Sequence, residues 1–287
     1  MEKKKLRSKK GAERATRILI YAVLIVISII WLIPFLLLII QSFNGNAGGG
    51  YGNSIFPEVW TFDNYVKLFT ETDFPKWYGN TLLVSVVVTV FQTAIVLVTS
   101  YALSRLRFKM RKPLMNLMLI LGMFPGFLSM TAVYFVLKEI HLTANPLGLI
   151  LVYSASSAMQ YYICKGFFDT IPKSLDEAAR IDGASRQQIL WKVILPLAKP
   201  IIIYTVLTAF IAPWGEYMFA SLIMRGDTSM YTVAAGMKEI FLSQGNEYKY
   251  FTVFCAAAVV VSIPITVLFI WLQRYYVEGI TGGSVKG

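Results

Sequence analysis

Charge is scarce in this chain. Of its 287 residues, 15% are Asp, Glu, Lys or Arg, while 56% are hydrophobic. That balance excludes an ordinary soluble domain of this length. A Gly-Lys pair is missing altogether. The phosphate-cradling loop Gly-x-x-x-x-Gly-Lys-Ser/Thr therefore has no place to form. The sequence offers no acid–base or nucleophile constellation either, so catalysis within this chain is not expected. Cysteine is limited to Cys164 and Cys255. The span assignment below separates them by most of a bilayer, and a disulfide needs Cα atoms within about 7 Å, so two free thiols are expected. His141 is the one histidine; alone in a short loop, it is read as incidental rather than as a metal ligand.

What is present is a series of charge-free runs: Ile18 to Pro57, Trp77 to Ser104, Pro113 to Leu137, Leu142 to Cys164, Pro200 to Gly215 and Tyr250 to Gln273. A membrane-spanning helix needs about 20 mostly apolar residues. Five runs meet that length, and the fifth in order reaches it only by including Glu216 and continuing to Met224. Six spans are predicted in an all-α membrane protein. The first apolar run is longer than the ~7–15 residues of a signal-peptide core, and no small-x-small site follows it, so it reads as an uncleaved helix.

The net charge of +11 could suggest nucleic acid, but its placement argues against that. Residues 1–17 hold eight Lys/Arg, 105–112 hold five, 165–199 hold six and 274–287 hold two, which is 21 of the 27. All four segments fall on one side of a six-span chain. By the positive-inside rule that side is cytoplasmic, with both termini on it. The organisation predicted is a basic, mobile tail over 1–17, the first span and outer loop over 18–76, a transmembrane core over 77–273 with a cytoplasmic loop at 171–199, and a cytoplasmic tail over 274–287.

Local signals fill in this frame. Five glycines between Gly45 and Gly52 read as flexible chain. Trp60 to Tyr65 follow, where Thr61 is expected to cap a short surface helix. That aromatic stretch fits an interfacial anchor or a partner contact equally. Phe124-Pro125-Gly126 predicts a kink or break inside the third span. Glu216 is a costly carboxylate within a span. It is either a pore-lining or gate residue or a helix-end group reaching outer water. Trp214 and Tyr217 beside it, and Tyr161, are further candidate path residues.

The most informative segment is Ile171 to Pro196. Ser174 stands three residues before Glu177 and Ser185 three before Gln188, the spacing of two capping boxes. Gly183 lies between them as a breaker. A helix–turn–helix is predicted, with a first helix from Ser174 to about Gly183 and a second toward Pro196. Ala178 and Ala179 let a partner approach the backbone. Leu175 and Ile181 offer apolar knobs, with Glu177, Arg180 and Asp182 at the rim. Such a preformed peg binds a socket at little ordering cost. A DNA-reading motif is the first rival reading, but tethering to two spans keeps its helix out of a groove. A loop lying passively on the membrane is the second.

Glu177-Ala178-Ala179, Gly183, Val193 and Leu195-Pro196 resemble the EAA signature of ABC importer permeases, with Val193 where the family usually has Ile. Ala102 to Phe108 and Trp60 to Tyr65 are similar to its carbohydrate branch. Met123-Phe124-Pro125, Leu128-Ser129, Ile263 to Thr266 and Gly279 to Gly287 resemble the MalG-type subunits of maltose/maltodextrin importers. The resemblance implies a type I (MetI-like) importer fold and a bacterial cytoplasmic membrane location. It implies a second homologous permease, two ATPase subunits that hold ATP and magnesium, and an extracytoplasmic sugar-binding protein, all in membrane lipid. No cofactor is implied on this chain, and no nucleic acid.

The resemblance assigns ATPase coupling to Ser174, Glu177, Ala178, Ala179, Asp182, Gly183, Leu195 and Pro196. It assigns ATPase contact to Gly282, Gly283 and Lys286 in a Gly-rich, flexible tail. The outer segment from Arg225 to Lys249, with Tyr231, Gln244, Asn246 and Tyr248, resembles a loop that probes the binding protein's cleft. An importer of another oligosaccharide fits the same residues. An ion-coupled carrier would need ionisable groups at mid-membrane, and only Glu216 qualifies.

Overall fold

The computed structural model describes residues 2–46, 56–123, 126–225, 227–242 and 249–284. Among these the chain is helical, with a single isolated bridge between Asn44 and Trp60 and no strand. Three helices are long and apolar enough to cross a membrane unaided, and three bent pairs bring the number to six when each pair is one span. The chain divides into two compact units, residues 1–70 with 245–259, and residues 71–244 with 260–287.

In the first unit, α1 (Glu2–Ser42) begins far earlier than expected. The basic stretch read as a mobile tail is helical, because Lys, Arg, Glu, Ala and Leu are strong helix formers and join an apolar run already committed to helix. Its apolar side chains, from Ile18 to Leu36, stand exposed. In water such a stripe would be untenable, and lipid or a membrane partner is its natural surrounding.

After α1 the chain folds back through α2 (Asp63–Thr70). Thr61 acts at its start, its Oγ1 accepting the Asp63 amide at 3.1 Å. Asn64 holds the return in place. Its Nδ2 donates to the carbonyls of Ser42 and Asn44 at 3.0 and 2.8 Å, and its Oδ1 accepts from Thr252 Oγ1 at 2.9 Å. The Phe43 ring gathers Trp60, Phe62 and Tyr65 around it.

The second unit is built around α3 (Phe74–Arg105), whose buried face runs from Phe74 and Trp77 through Val84, Val88 and Val96 to Leu103. The helices α4 (Arg111–Met123), α5 (Gly126–Glu139), α6 (Pro146–Ala155), α7 (Ala158–Thr170) and α11 (Lys199–Gly215) follow. Of these α6, α7 and α11 pack on α3. The break expected at Phe124-Pro125-Gly126 is there: α4 stops at Met123 and α5 opens at Gly126, with Phe124 and Pro125 outside the described residues.

A second break was not foreseen. Between α6 and α7 the axis bends by 42° at Ser156 and Ser157. The Ser157 hydroxyl is satisfied by accepting from Gln92 Nε2 at 2.8 Å and donating to the Ser154 carbonyl. That satisfaction lets a polar break persist inside an apolar span. The fifth span also differs from expectation. It does not run unbroken through Glu216: α11 stops at Gly215, and the short α12 (Met218–Ile223) restarts after it. Cys164 and Cys255 are both buried, free thiols.

Loop residues Thr228 to Val233 are stitched to one end of α3. The Trp77 indole N–H donates to the Thr228 carbonyl, Asn80 Nδ2 donates to Ser229 and Tyr231, and Thr81 Oγ1 accepts the Val233 amide. From there α13 (Val233–Phe241) lays Gly236 directly on the buried Trp77 ring. A Cβ at Gly236 would stand 2.3 Å from Trp77 Cδ2. Phe241 packs edge-on against the same indole, ring centroids 6.4 Å apart. Gly236→Ala should therefore lower the thermal midpoint by an overpacking cost of about 1–3 kcal/mol. Scanning fluorimetry in detergent would show it, and an unchanged midpoint would mean the ring has room to move.

Candidate functional site

The segment after α7 forms α8 (Lys173–Ile181), a turn, and α9 (Arg186–Ile189). It then widens into a π-helical stretch, Leu190–Ile194, and closes with α10 (Leu195–Leu197). The chain then turns by 85° into α11, so the loop's second half lies across the span. Pro196 accounts for the widening. It has no N–H for the Lys192 carbonyl, and its ring crowds that carbonyl. Wide turns of this kind concentrate at functional sites.

The first expected capping box does not form. Pro172 occupies the cap position with no side-chain bond, and α8 starts at Lys173, leaving Ser174 inside the first turn. The second box is complete: Ser185 Oγ accepts the Gln188 amide at 3.3 Å, and Gln188 Oε1 accepts the Ser185 amide at 2.7 Å. Gly183 ends α8 as anticipated, at φ +81°. Its amide donates to the Arg180 carbonyl and the Ala184 amide to that of Ala179, which is a full Schellman closure.

This loop is fastened from beneath. Ile171, Ile189, Leu190, Ile194 and Leu195 join Val96, Leu97, Tyr101 and Phe168 in one buried cluster. Tyr101 Oη donates to the Arg186 carbonyl at 3.2 Å. What remains outside is a rigid, outward face. Ser174, Glu177, Ala178, Asp182, Gly183 and Pro196 are exposed, Ala179 is half-buried and Leu195 is in the core. Ile181 is 87% exposed and Trp191 66%, large apolar surfaces with no cover among the described residues.

The path candidates do not form one group. Tyr161 belongs to the buried cluster under the loop. Trp214 is buried elsewhere, between Tyr78 and Phe210. Tyr217 is exposed. Glu216 is anchored at the break between α11 and α12. Its carboxylate accepts from Tyr153 Oη at 2.6 Å and from the amides of Phe219 and Ala220 at 2.8 and 3.1 Å. It thereby satisfies the free amides that open α12, and negative charge is favoured at that end.

In the segment after Arg225, Asp227 Oδ1 accepts from the Ser229 hydroxyl and amide, which hold its carboxyl below the usual range. Tyr231 is buried. Gln244, Asn246 and Tyr248 lie outside the described residues.

Residues 95–282 match the family described as binding-protein-dependent transport system inner membrane component. The chain belongs to this family. It is 34% identical to MalD, a permease of the maltodextrin transport system of Streptococcus pneumoniae (strain ATCC BAA-255 / R6), over 97% of this chain and 98% of that one. It is 36% identical to GanQ, a permease of the galactooligosaccharides transport system of Bacillus subtilis (strain 168), covering 93% and 94% of the two chains. A chain in the crystal structure of a bacterial ABC transporter that imports alginate superposes with a TM-score of 0.77, at 24% identity and covering 92% of this chain and 98% of that one. That likeness speaks to the fold.

For a member of this family, one feature of the loop was missed in the sequence. Arg105, the last residue of α3, and Asp176 of α8 form an ion pair, Nε to Oδ2 at 3.1 Å, with side chains only 1% and 5% exposed. Arg105 Nη2 also donates to the Ile171 carbonyl at 2.8 Å. Arg105 had been counted among the inner-side charges, and Asp176 was given no role. No local pattern signals their pairing across 71 positions. At the far end, α14 (Phe251–Ser284) continues as helix through Gly282 and Gly283, where a loose Gly-rich tail was expected. Lys286 lies outside the described residues.

Proposed function

We propose that this chain is a permease subunit of an ATP-driven, binding-protein-dependent importer of maltodextrins, forming half of the translocation pathway. The observation that carries this reading is the loop Lys173–Leu197, whose exposed EAA face has no cover among the described residues. Near-full-length similarity to MalD supports the substrate class. In this reading both termini and the loop are cytoplasmic, in the cytoplasmic membrane of a bacterium. A second, homologous permease completes the pore. Two ATPase subunits, which carry ATP and magnesium, seat Glu177, Ala178, Ala179, Asp182 and Gly183, and contact the tail near Gly282, Gly283 and Lys286. An extracytoplasmic sugar-binding protein delivers cargo. ATP binding biases a two-state arrangement, and the loop passes that bias on by rigid-body motion. Glu216, Trp214, Tyr217 and Tyr161 are proposed to shape the path, Glu216 by fixing the α11–α12 break.

A second reading, galactooligosaccharide import, draws on the equal likeness to GanQ. The test is uptake by vesicles reconstituted with the full complex. ATP-dependent accumulation of labelled maltodextrin, competed by maltodextrins and not by galactooligosaccharides, is expected. The reverse competition selects the second reading. Uptake driven by an ion gradient without ATP refutes both.

A further inference from the structure

A cavity of about 700 Å³ opens where the end of α3 meets α8 and α9. Its walls carry Arg105, Arg107, Arg111, Lys173, Arg180 and Arg186, against only Asp176 and Glu177. Asp176 is committed to Arg105. That leaves five cations and one carboxylate around a single hollow. None of the five lies within ion-pair distance of an acid among the described residues. Like charges gathered around a concavity focus a positive potential in it and draw an anion.

A second observation points the same way. The buried Arg105 guanidinium, which lines this cavity, has an Nη1 with no hydrogen-bond partner among the described residues, as does the neighbouring Asp176 Oδ1. A buried charged donor left unmade is expensive. The ligand's chemistry follows from the donors. Four of the five free cations are arginine, whose planar fork matches the paired oxygens of a phosphate. The position follows from the fold. Ser104 and Arg105 are the last turn of a helix long and apolar enough to cross a membrane, so the hollow opens at the end of a candidate span, and lipid phosphates flank the ends of spans.

We propose that this cavity binds a phosphate group, presented by an anionic phospholipid headgroup of the inner leaflet or as free phosphate. The bound group neutralises the Arg107–Arg111 turn and the α8–α9 turn together, tying the loop to the end of α3. This goes beyond the transport reading, since any permease with this hollow would show it.

The test uses the full importer complex in nanodiscs of phosphatidylcholine with or without phosphatidylglycerol, analysed by native mass spectrometry. An inorganic phosphate titration followed by thermal shift runs beside it. The variant is Arg107→Gln/Arg111→Gln, which leaves the Arg105–Asp176 pair in place. Wild type should retain phosphatidylglycerol, and the variant should hold it about 30-fold more weakly, at the usual worth of two basic residues near a membrane surface. Phosphate stabilisation of wild type alone, without lipid retention, would identify free phosphate as the source and equally support the site. Equal retention by wild type and variant, or binding of neither probe, overturns the proposal. If neither probe binds and the variant instead sheds an ATPase subunit, the cations belong to protein docking. Circular dichroism on both proteins checks that the variant is folded.

Discussion

Replacing Asp176 with alanine should be among the most damaging single changes outside the transmembrane packing. The substitution leaves Arg105 charged, buried and without its counter-ion. Breaking a buried pair from one side costs about 3–5 kcal/mol, because the remaining charge keeps its desolvation penalty. With its side chain only 1% exposed, Arg105 has little water to replace the lost carboxylate, so the full range applies. The double variant Arg105→Met/Asp176→Ala removes both charges and should recover much of the loss. It should not reach wild type, since the Ile171 carbonyl loses the donor it has at 2.8 Å, a cost of about 1–3 kcal/mol for a buried acceptor. Thermal midpoints of wild type, both single variants and the double variant close the cycle. Additive losses would mean that the two residues do not act as a pair.

The spans were legible in the sequence because bilayer thickness imposes a length on any charge-free run, and that constraint is local. The Ser185 box and the Gly183 turn were legible for the same reason, being contacts between residues three to five apart. Legibility failed where the deciding partner was distant. The bend at Ser157 is stable only because Gln92, on another helix, satisfies its hydroxyl. Asp176 is a buried anchor only because α3 ends beneath it. Ser174 failed as a cap because Pro172 takes the cap position two residues sooner. Glu216 shows both sides. Its cost inside a span was visible, but the two amides and the tyrosine that hold it come from a helix break that hydropathy does not reveal. The substrate was never legible in the residues themselves. The aromatic side chains singled out for the path fall into separate places, two of them buried.

The second large effect is expected at the exposed face of α8, and Gly183 separates its two physical components. At φ +81° a side chain costs about 1–2 kcal/mol of backbone strain. A Cβ there would touch nothing within 4 Å in this chain. Asparagine tolerates the left-handed region, so Gly183→Asn should preserve the turn and keep most ATPase recruitment. Gly183→Trp adds bulk where the docking reading brings the partner's surface closest, and should abolish recruitment while membrane insertion is unchanged. Glu177→Lys should do the same through charge, since juxtaposed like charges at an interface cost several kcal/mol. Co-purification of the ATPase subunit with each tagged variant measures the outcome, and membrane-fraction abundance controls for insertion. Loss in Gly183→Asn equal to that in Gly183→Trp would assign the effect to a deformed turn rather than to a blocked surface. Wild-type recruitment by both Glu177→Lys and Gly183→Trp would remove the loop from the docking interface altogether.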